Sequence, residues 1–225
     1  MVFFTRKIDK IYEKTDNKRD NGKTLLDGIV YNKKMRWEIP GIMRKRIMRV
    51  ITGSARGTRL TAPEGIETRP TSDMTKEAVF SILQFELEGA YVLDLFAGSG
   101  QMGIEALSRG AASCTFVDIS RQAQEAIRRN LAAAKLTGSV KVAAMEAEAY
   151  LASCREAFDI AFLDPPYGQG LLEKILPLAA AKMKETGIIV CEMEKKEEPL
   201  EMARDFALYK VYRYGKAKIA TYRRP

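Results

Sequence analysis

Apolar residues change rhythm along this chain, and the clearest pattern begins at Tyr91. Short runs of apolar residues recur at 91–96 (YVLDLF), 115–119 (TFVDI), 140–144 (VKVAA), 158–164 (FDIAFLD) and 187–192 (GIIVCE). Runs this short and this uniformly apolar predict strands buried on both faces. Between them the spacing becomes helical: Met102–Ser108, then Arg121–Lys135 with Ala126, Ile127 and Leu131 on one side, then Leu171–Met183. Strands alternating with helices predict an α/β, doubly wound, mostly parallel sheet. The last stretch, FALYKVYRYGKAKIATYRR, reads as two strands joined near Gly215, an antiparallel pair at one side of the sheet.

Upstream the pattern is different. Residues 48–63 contain two short β-branched runs around a Gly-containing turn, which predicts a hairpin. Ser72 or Asp73 can then cap a helix over 72–88, with Ala78, Val79, Ile82 and Leu83 on one side and Gly89 after its end. Residues 1–47 show scattered charge and no sustained period, so no stable element is placed there. The expected organisation is an extension over 1–47 and one domain over 48–225, whose α/β core starts at about residue 90.

Charge sharpens that division. Residues 1–47 carry 13 Lys and Arg against 6 Asp and Glu, whereas 48–225 carry 24 against 23. Affinity for nucleic acid must therefore come from local clusters, such as Arg44, Lys45, Arg46, Arg49, Arg56 and Arg59, or Arg213, Lys216, Lys218, Arg223 and Arg224. No apolar run approaches the roughly 18 residues of a membrane span, and the charged N-terminus is unlike a signal peptide. A cytoplasmic protein is expected. The chain has no histidine, and Cys114, Cys154 and Cys191 lie far apart. A zinc site and a Ser-His-Asp or Cys-His mechanism therefore lack their parts, no metal is expected, and the thiols are read as buried and reduced.

Candidate chemistry gathers where strands end. After 91–96 comes Asp94-Leu-Phe96-Ala-Gly98-Ser99-Gly100-Gln-Met-Gly103, a glycine-rich turn of the kind that lets a nucleotide approach the backbone. Asp94 stands just before the glycines, where a carboxylate would repel a pyrophosphate but attract a cationic amino acid. S-adenosylmethionine fits that charge better than a nicotinamide dinucleotide. Asp118 ends the next strand, where an acid can accept both ribose hydroxyls, though it could also merely cap a helix.

The sequence Asp164-Pro165-Pro166-Tyr167 then closes the 158–164 strand. The Asp164 carboxylate and the Pro165 carbonyl can accept the two N–H bonds of an exocyclic base amine, holding its lone pair toward a methyl donor. The prolines stiffen the acceptor pair, and Tyr167 offers a face for base stacking.

These segments resemble a known family. Class I methyltransferases pair a DLFAGSG-type loop with a (N/D)PPY loop that marks amino methylation. More narrowly, MRVITGSARGTRL, RPTSDMTKEAVFSIL, DLFAGSGQMGIEALSRGA, FDIAFLDPPY and YGKAKIATYRR occur in the order of the ribosomal small-subunit methyltransferase D family, the 16S rRNA guanine-N2 methyltransferases. The resemblance covers residues 48–225. It implies a Rossmann-like sheet preceded by a hairpin, S-adenosyl-L-methionine as cofactor, and 16S rRNA or the small ribosomal subunit particle as partner of a monomeric enzyme.

Position by position it places Asp94, Phe96, Gly98, Ser99, Gly100 and Asp118 at the cofactor and Asp164, Pro165, Pro166 and Tyr167 at the catalytic loop. Glu146 falls where relatives usually carry an Asp that contacts the adenine amino group, a departure of one methylene. Arg69 and Thr71 match an Arg-Pro-Thr segment beside cofactor and target base, although Thr71 or Ser72 could equally cap the following helix. The family pattern opens at Met48, leaving two readings of residues 1–47: a translation start at Met48, or a basic arm. Two rival functions share these features, an adenine-N6 methyltransferase acting on DNA or RNA and a non-catalytic RNA-binding assembly protein. A nicotinamide oxidoreductase would leave Asp164–Tyr167 without a task.

Overall fold

The computed structural model describes residues 23–26, 29–32, 35–38, 48–64, 73–166, 168, 170–214 and 217–225. They belong to two units, Met1–Arg46 and Ile47–Pro225. In the first, β1 (Lys23–Leu26), β2 (Ile29–Asn32) and β3 (Met35–Glu38) form an antiparallel sheet in that order. This corrects the expectation of no stable element. The signal was an Asp27-Gly28 dipeptide between two apolar runs, a sequence that favours a tight hairpin turn; four-residue strands are too short to show a period.

The second unit opens with the expected hairpin, reduced to two-residue strands β4 (Met48–Arg49) and β5 (Arg59–Leu60) paired antiparallel. Helix α1 (Asp73–Ile82) follows. It ends well before the expected boundary at residue 88, because the Glu86 N–H turns back to the Leu83 carbonyl at 2.9 Å. That turn buries Leu87 while leaving Phe85 exposed.

The core elements then alternate: β6 (Tyr91–Leu95), α2 (Gln101–Ser108), β7 (Ser113–Val117), α3 (Arg121–Ala134), β8 (Val140–Ala143), α4 (Ala147–Ser153), β9 (Phe158–Leu163), α5 (Leu171–Ala180) and β10 (Met183–Glu194). The chain ends in β11 (Met202–Ala203), β12 (Phe206–Tyr214) and β13 (Ala217–Arg223). The eight-stranded sheet has the order β11-β12-β13-β10-β9-β6-β7-β8. Strands β8, β7, β6, β9 and β10 run parallel, and β13 joins β10 antiparallel. This is the Rossmann-like sheet with an antiparallel C-terminal pair that the pattern predicts. Helix α4, two turns long and too short for its apolar spacing to stand out, is an element the sequence pattern does not mark.

Local sequence explains the helices that shape the site. In α3 the Ser120 hydroxyl accepts the Ala123 N–H, satisfying one orphan donor of the first turn. Its residues Ala123, Ala126, Ile127, Asn130, Leu131 and Ala134 are buried, a stripe of helical period. Two apolar clusters result, one on each face of the sheet. The first joins Phe80 of α1, Ile104 of α2 and Ile127 of α3 with the hairpin residues Val50 and Leu60. The second joins Tyr150 and Leu151 of α4 with Ile175 and Leu176 of α5.

The hairpin is tied down by polar groups. The buried Glu105 carboxylate accepts the N–H groups of Ile51 (2.7 Å) and Thr52 (2.9 Å) and the Arg109 Nε–H (2.9 Å). Ser108 accepts the Ala55 N–H and donates to the Thr52 carbonyl. Lys76, fully buried, donates from Nζ to the Arg49 carbonyl at 2.6 Å. Desolvation lowers the Lys76 pKa, and the charges of Glu105 and Asp73 oppose that shift.

Gly103 shows how tightly α2 sits on the sheet. A Cβ there would lie 2.3 Å from the Phe116 ring and 2.5 Å from Cys114 Sγ. Gly103→Ala is therefore expected to lower the unfolding free energy by about 2–3 kcal/mol. Gly57, in open space at φ +85°, should cost only about 1 kcal/mol as Ala; urea unfolding of both variants checks the contrast.

Candidate active site

Strands β6 and β9 are neighbours, but the chain leaves β6 for α2 on one face and β9 for α5 on the other. At such a switch point the loops part and leave a crevice at the carboxyl ends of the strands. The loop after β6 forms one wall. Asp94 is buried, and its Oδ2 accepts the Gly103 N–H at 2.9 Å, fixing the start of α2 against the strand. Phe96 (φ 64°), Gly98 (φ 55°) and Gly100 (φ 73°) all take left-handed backbone conformations, a strained choice for an aromatic residue. A Cβ on Gly100 would press on Ile127 and Phe116 at 3.1 and 3.2 Å, whereas one on Gly98 would meet nothing nearer than the Phe96 carbonyl at 4.0 Å. The loop is packed beneath Gly100 and open beside Gly98.

Asp118, just beyond β7, braces this loop by accepting the Gly98 N–H at Oδ2 (2.8 Å); its Oδ1 accepts the Ser120 N–H (2.8 Å). Each oxygen keeps a lone pair for a further donor. Ser99 is held from two sides, its hydroxyl 3.8 Å from Met48 Sδ and its carbonyl accepting from Asn130 Nδ2 at 2.8 Å. Glu146 stands exposed at the entry to α4, past the end of β8. Its carboxylate makes no cap bond to that helix.

The other wall is the turn after β9. Asp164 opens to solvent, Pro165 is buried and Pro166 is exposed. Both prolines line a cleft of about 160 Å³ that also takes in Leu171, Glu192 and Met193. Cys191 pairs with Leu163 in the β9–β10 register, so the next residues along the two chains, Glu192 and Asp164, emerge side by side. The pKa of Asp164 is raised, by the protein atoms crowded around it at the crevice and then by the negative charges of Glu192 and Asp94, a shift that its opening to solvent moderates. Asp94 rises from 3.8 to about 7, mainly through burial; the Gly103 bond opposes the shift and the Asp118 charge adds to it.

The structure thus brings Asp94, Asp118, Asp164, Phe96, Gly98, Ser99, Gly100, Pro165 and Pro166 to the carboxyl ends of β6, β7 and β9. Arg69, Thr71 and Tyr167 lie outside the described residues. Sequence reasoning missed two residues here. Glu192 had a signal, an acid closing an otherwise apolar strand. Asn130 had another, a carboxamide on the apolar stripe of α3.

Of the basic clusters, the C-terminal one does not form a free patch. Lys218 is buried, donating to the Glu197 carbonyl and Glu198, while Arg223 pairs with Glu86 and Arg224 with Asp205. Alternation along β13 turns Lys218 and Arg223 to opposite faces. Arg56 and Arg59 of the hairpin are exposed, and Arg49 pairs with Asp73. Arg44, Lys45, Arg46 and Lys216 lie outside the described residues. Among the described residues no cluster of His, Cys, Asp and Glu could hold a metal, and no helix is long and apolar enough to cross a membrane.

The Asp94 shift has a stability consequence. Between about pH 4 and 7 the folded chain keeps a proton on Asp94 that the unfolded chain releases, so stability falls as pH rises through this window and levels off above it. Asp94→Asn is expected to reduce that slope, as urea unfolding of both proteins at pH 5, 6, 7 and 8 would show.

Comparison with known proteins places this chain in a family. Residues 48–223 match the family described as Conserved hypothetical protein 95. YlbH of Bacillus subtilis is 40% identical over 182 residues, covering 79% of this chain and 99% of its own length. Ribosomal RNA small subunit methyltransferase D of Escherichia coli is 39% identical over 131 residues, 58% of this chain and 66% of that protein. The solved structure of yhhF from Escherichia coli superposes with a TM-score of 0.71 at 33% identity, covering 79% of this chain and 97% of that one. The chain therefore belongs to the Conserved hypothetical protein 95 family and is a methyltransferase of the ribosomal small-subunit methyltransferase D type.

Proposed function

We propose that this protein methylates the exocyclic N2 of a guanine in 16S rRNA, within the RNA or the assembling small-subunit particle, with S-adenosyl-L-methionine as donor. The observation that carries the reading is the convergence of Asp94, Asp164 and Glu192 beside a glycine loop. The charges acting on Asp164 are those of Glu192 and Asp94, both acidic. Such a crevice attracts a sulfonium and an ammonium group and repels a pyrophosphate. That argues for S-adenosylmethionine over a dinucleotide on the chain's own electrostatics. The guanine and the small-subunit RNA are supported by the family resemblance and by the name of the Escherichia coli relative.

The donor supplies an electrophilic methyl on a positively charged sulfur. Asp94 would face its amino acid portion, Asp118 the ribose hydroxyls and Glu146 the adenine. The open side of Gly98 leaves room for the nucleoside against the backbone. On the acceptor side, the amine of a base is a weak nucleophile because its lone pair is drawn into the ring. Asp164 and the Pro165 carbonyl would accept its two N–H bonds, turning the lone pair toward the methyl. Arrival of a cation in the crevice favours ionised Asp164, so the raised pKa relaxes as the site fills. Tyr167 follows directly in sequence and would stack on a base drawn out of its surroundings, with Arg69 and Thr71 on the substrate side. The methylated nitrogen becomes strongly acidic, and its proton leaves to Asp164 or to water.

The test is methyl transfer from labelled S-adenosylmethionine to small subunits from cells lacking the enzyme, followed by nucleoside mass spectrometry. N2-methylguanosine is expected; N6-methyladenosine would move the assignment to adenine, and no product would reject it. Asp164→Ala should slow transfer by on the order of 100-fold or more while calorimetric S-adenosylmethionine affinity stays near wild type. Equal loss of both would remove Asp164 from the acceptor role. Because Asp94 ionises at about 7, donor affinity should also tighten between about pH 6 and 7.5, and Asp94→Asn should flatten that dependence.

A further inference from the structure

We propose that Asn130 is a positioning residue for the methyl donor, acting through one carboxamide that locks the glycine loop to the chain leaving the hairpin. The inference rests on the S-adenosylmethionine reading above. Asn130 sits on α3 and is 1% exposed. Its Nδ2 donates to the Ser99 carbonyl (2.8 Å) and to the Thr61 carbonyl (2.9 Å). Its Oδ1 accepts from the Thr61 N–H (2.8 Å) and the Thr61 hydroxyl (3.0 Å). Two donors and two lone pairs are the whole hydrogen-bonding capacity of a carboxamide, and all of it is used on two segments distant in sequence.

The placement matters because of what Ser99 is. It lies between Gly98 and Gly100, both at positive φ, in a loop with little conformational preference of its own. Asp118 holds that loop at the Gly98 N–H, and Asn130 holds it at the next carbonyl. With both bonds made, the open side of Gly98 stays aimed into the crevice before any ligand arrives, so ordering of the loop is not charged against binding. Thr61, at the other end of the clamp, leads toward Arg69 and Thr71 in the sequence. Asparagine is the required residue: aspartate would keep the contacts from Thr61 N–H and hydroxyl but set an oxygen against two carbonyl oxygens.

A purely structural asparagine would act through overall stability, and Ser108 provides the comparison. Ser108 also ties the hairpin down, at Ala55 and Thr52, without touching the glycine loop. Asn130→Asp, Asn130→Ala and Ser108→Ala should be compared by urea unfolding, by calorimetric binding of S-adenosylmethionine, and by kcat and KM for methyl transfer. Expected is a loss of donor affinity of about tenfold in both Asn130 variants, with KM for the donor rising by the same factor and kcat within about threefold. Ser108→Ala should keep donor affinity within about twofold even where it unfolds as easily.

Asn130 variants that bind the donor like wild type, or a Ser108 variant that loses as much, would overturn the proposal. Wild-type protein that binds no S-adenosylmethionine would instead overturn the cofactor reading beneath it. Should the Asn130 variants fail to fold, hydrogen exchange on the wild-type protein decides. Donor binding should then protect peptides spanning 58–64 and 96–102 together, and protection of the second alone would overturn the coupling.

Discussion

Everything in the catalytic half of this protein is referred to one buried carboxyl. Asp94 sits at the end of the central strand β6, and its bond to the Gly103 N–H joins that strand to the first turn of α2. The loop between them is short, so fixing both ends forces the chain through the left-handed conformations of Phe96, Gly98 and Gly100. The same burial that makes the bond strong raises the cost of ionising the carboxyl, which is why the group titrates near neutrality. Under the proposed function, a cationic ligand beside Asp94 would relieve that cost.

Around that anchor the fold solves a second problem, holding irregular segments against a regular sheet. The two-residue strands of the hairpin could not persist by themselves. They are held by buried side chains that satisfy backbone groups: Glu105 on Ile51 and Thr52, Ser108 on Ala55 and Thr52, Lys76 on Arg49, and Asn130 on Thr61. Loss of any one partner would leave a buried polar group unmet, which costs more than the bond itself contributes. Two of the helices that carry these side chains, α2 and α3, also follow or bond to the glycine loop. The hairpin and the glycine loop therefore share one rigid support.

The acidic character of the crevice sits within a chain whose overall charge is positive. Sequence bookkeeping assigns the excess to residues 1–47 and leaves the domain near balance. Within the domain, several cations that look like a tail patch are spent on Glu86, Asp205 and Glu198. Arg56 and Arg59 of the hairpin remain exposed.

The sequence by itself determined the elements whose signal is local. Uninterrupted apolar runs marked the buried parallel strands, the stripe of Ala126, Ile127 and Leu131 marked α3, and the glycines and prolines marked the two turns at which the strands end. Those features depend on neighbours along the chain, and local spacing records them. Tertiary structure alone decided where α1 stops, since the Leu83–Glu86 turn answers to the burial of Leu87 rather than to helical propensity. It alone brought Glu192 beside Asp164, through a parallel register between strands about thirty residues apart in sequence. It alone showed that Lys218 is buried and that Asn130 bonds to Ser99 and Thr61. Long-range pairings of this kind leave no periodic trace, because each is a single contact set by how complete elements pack.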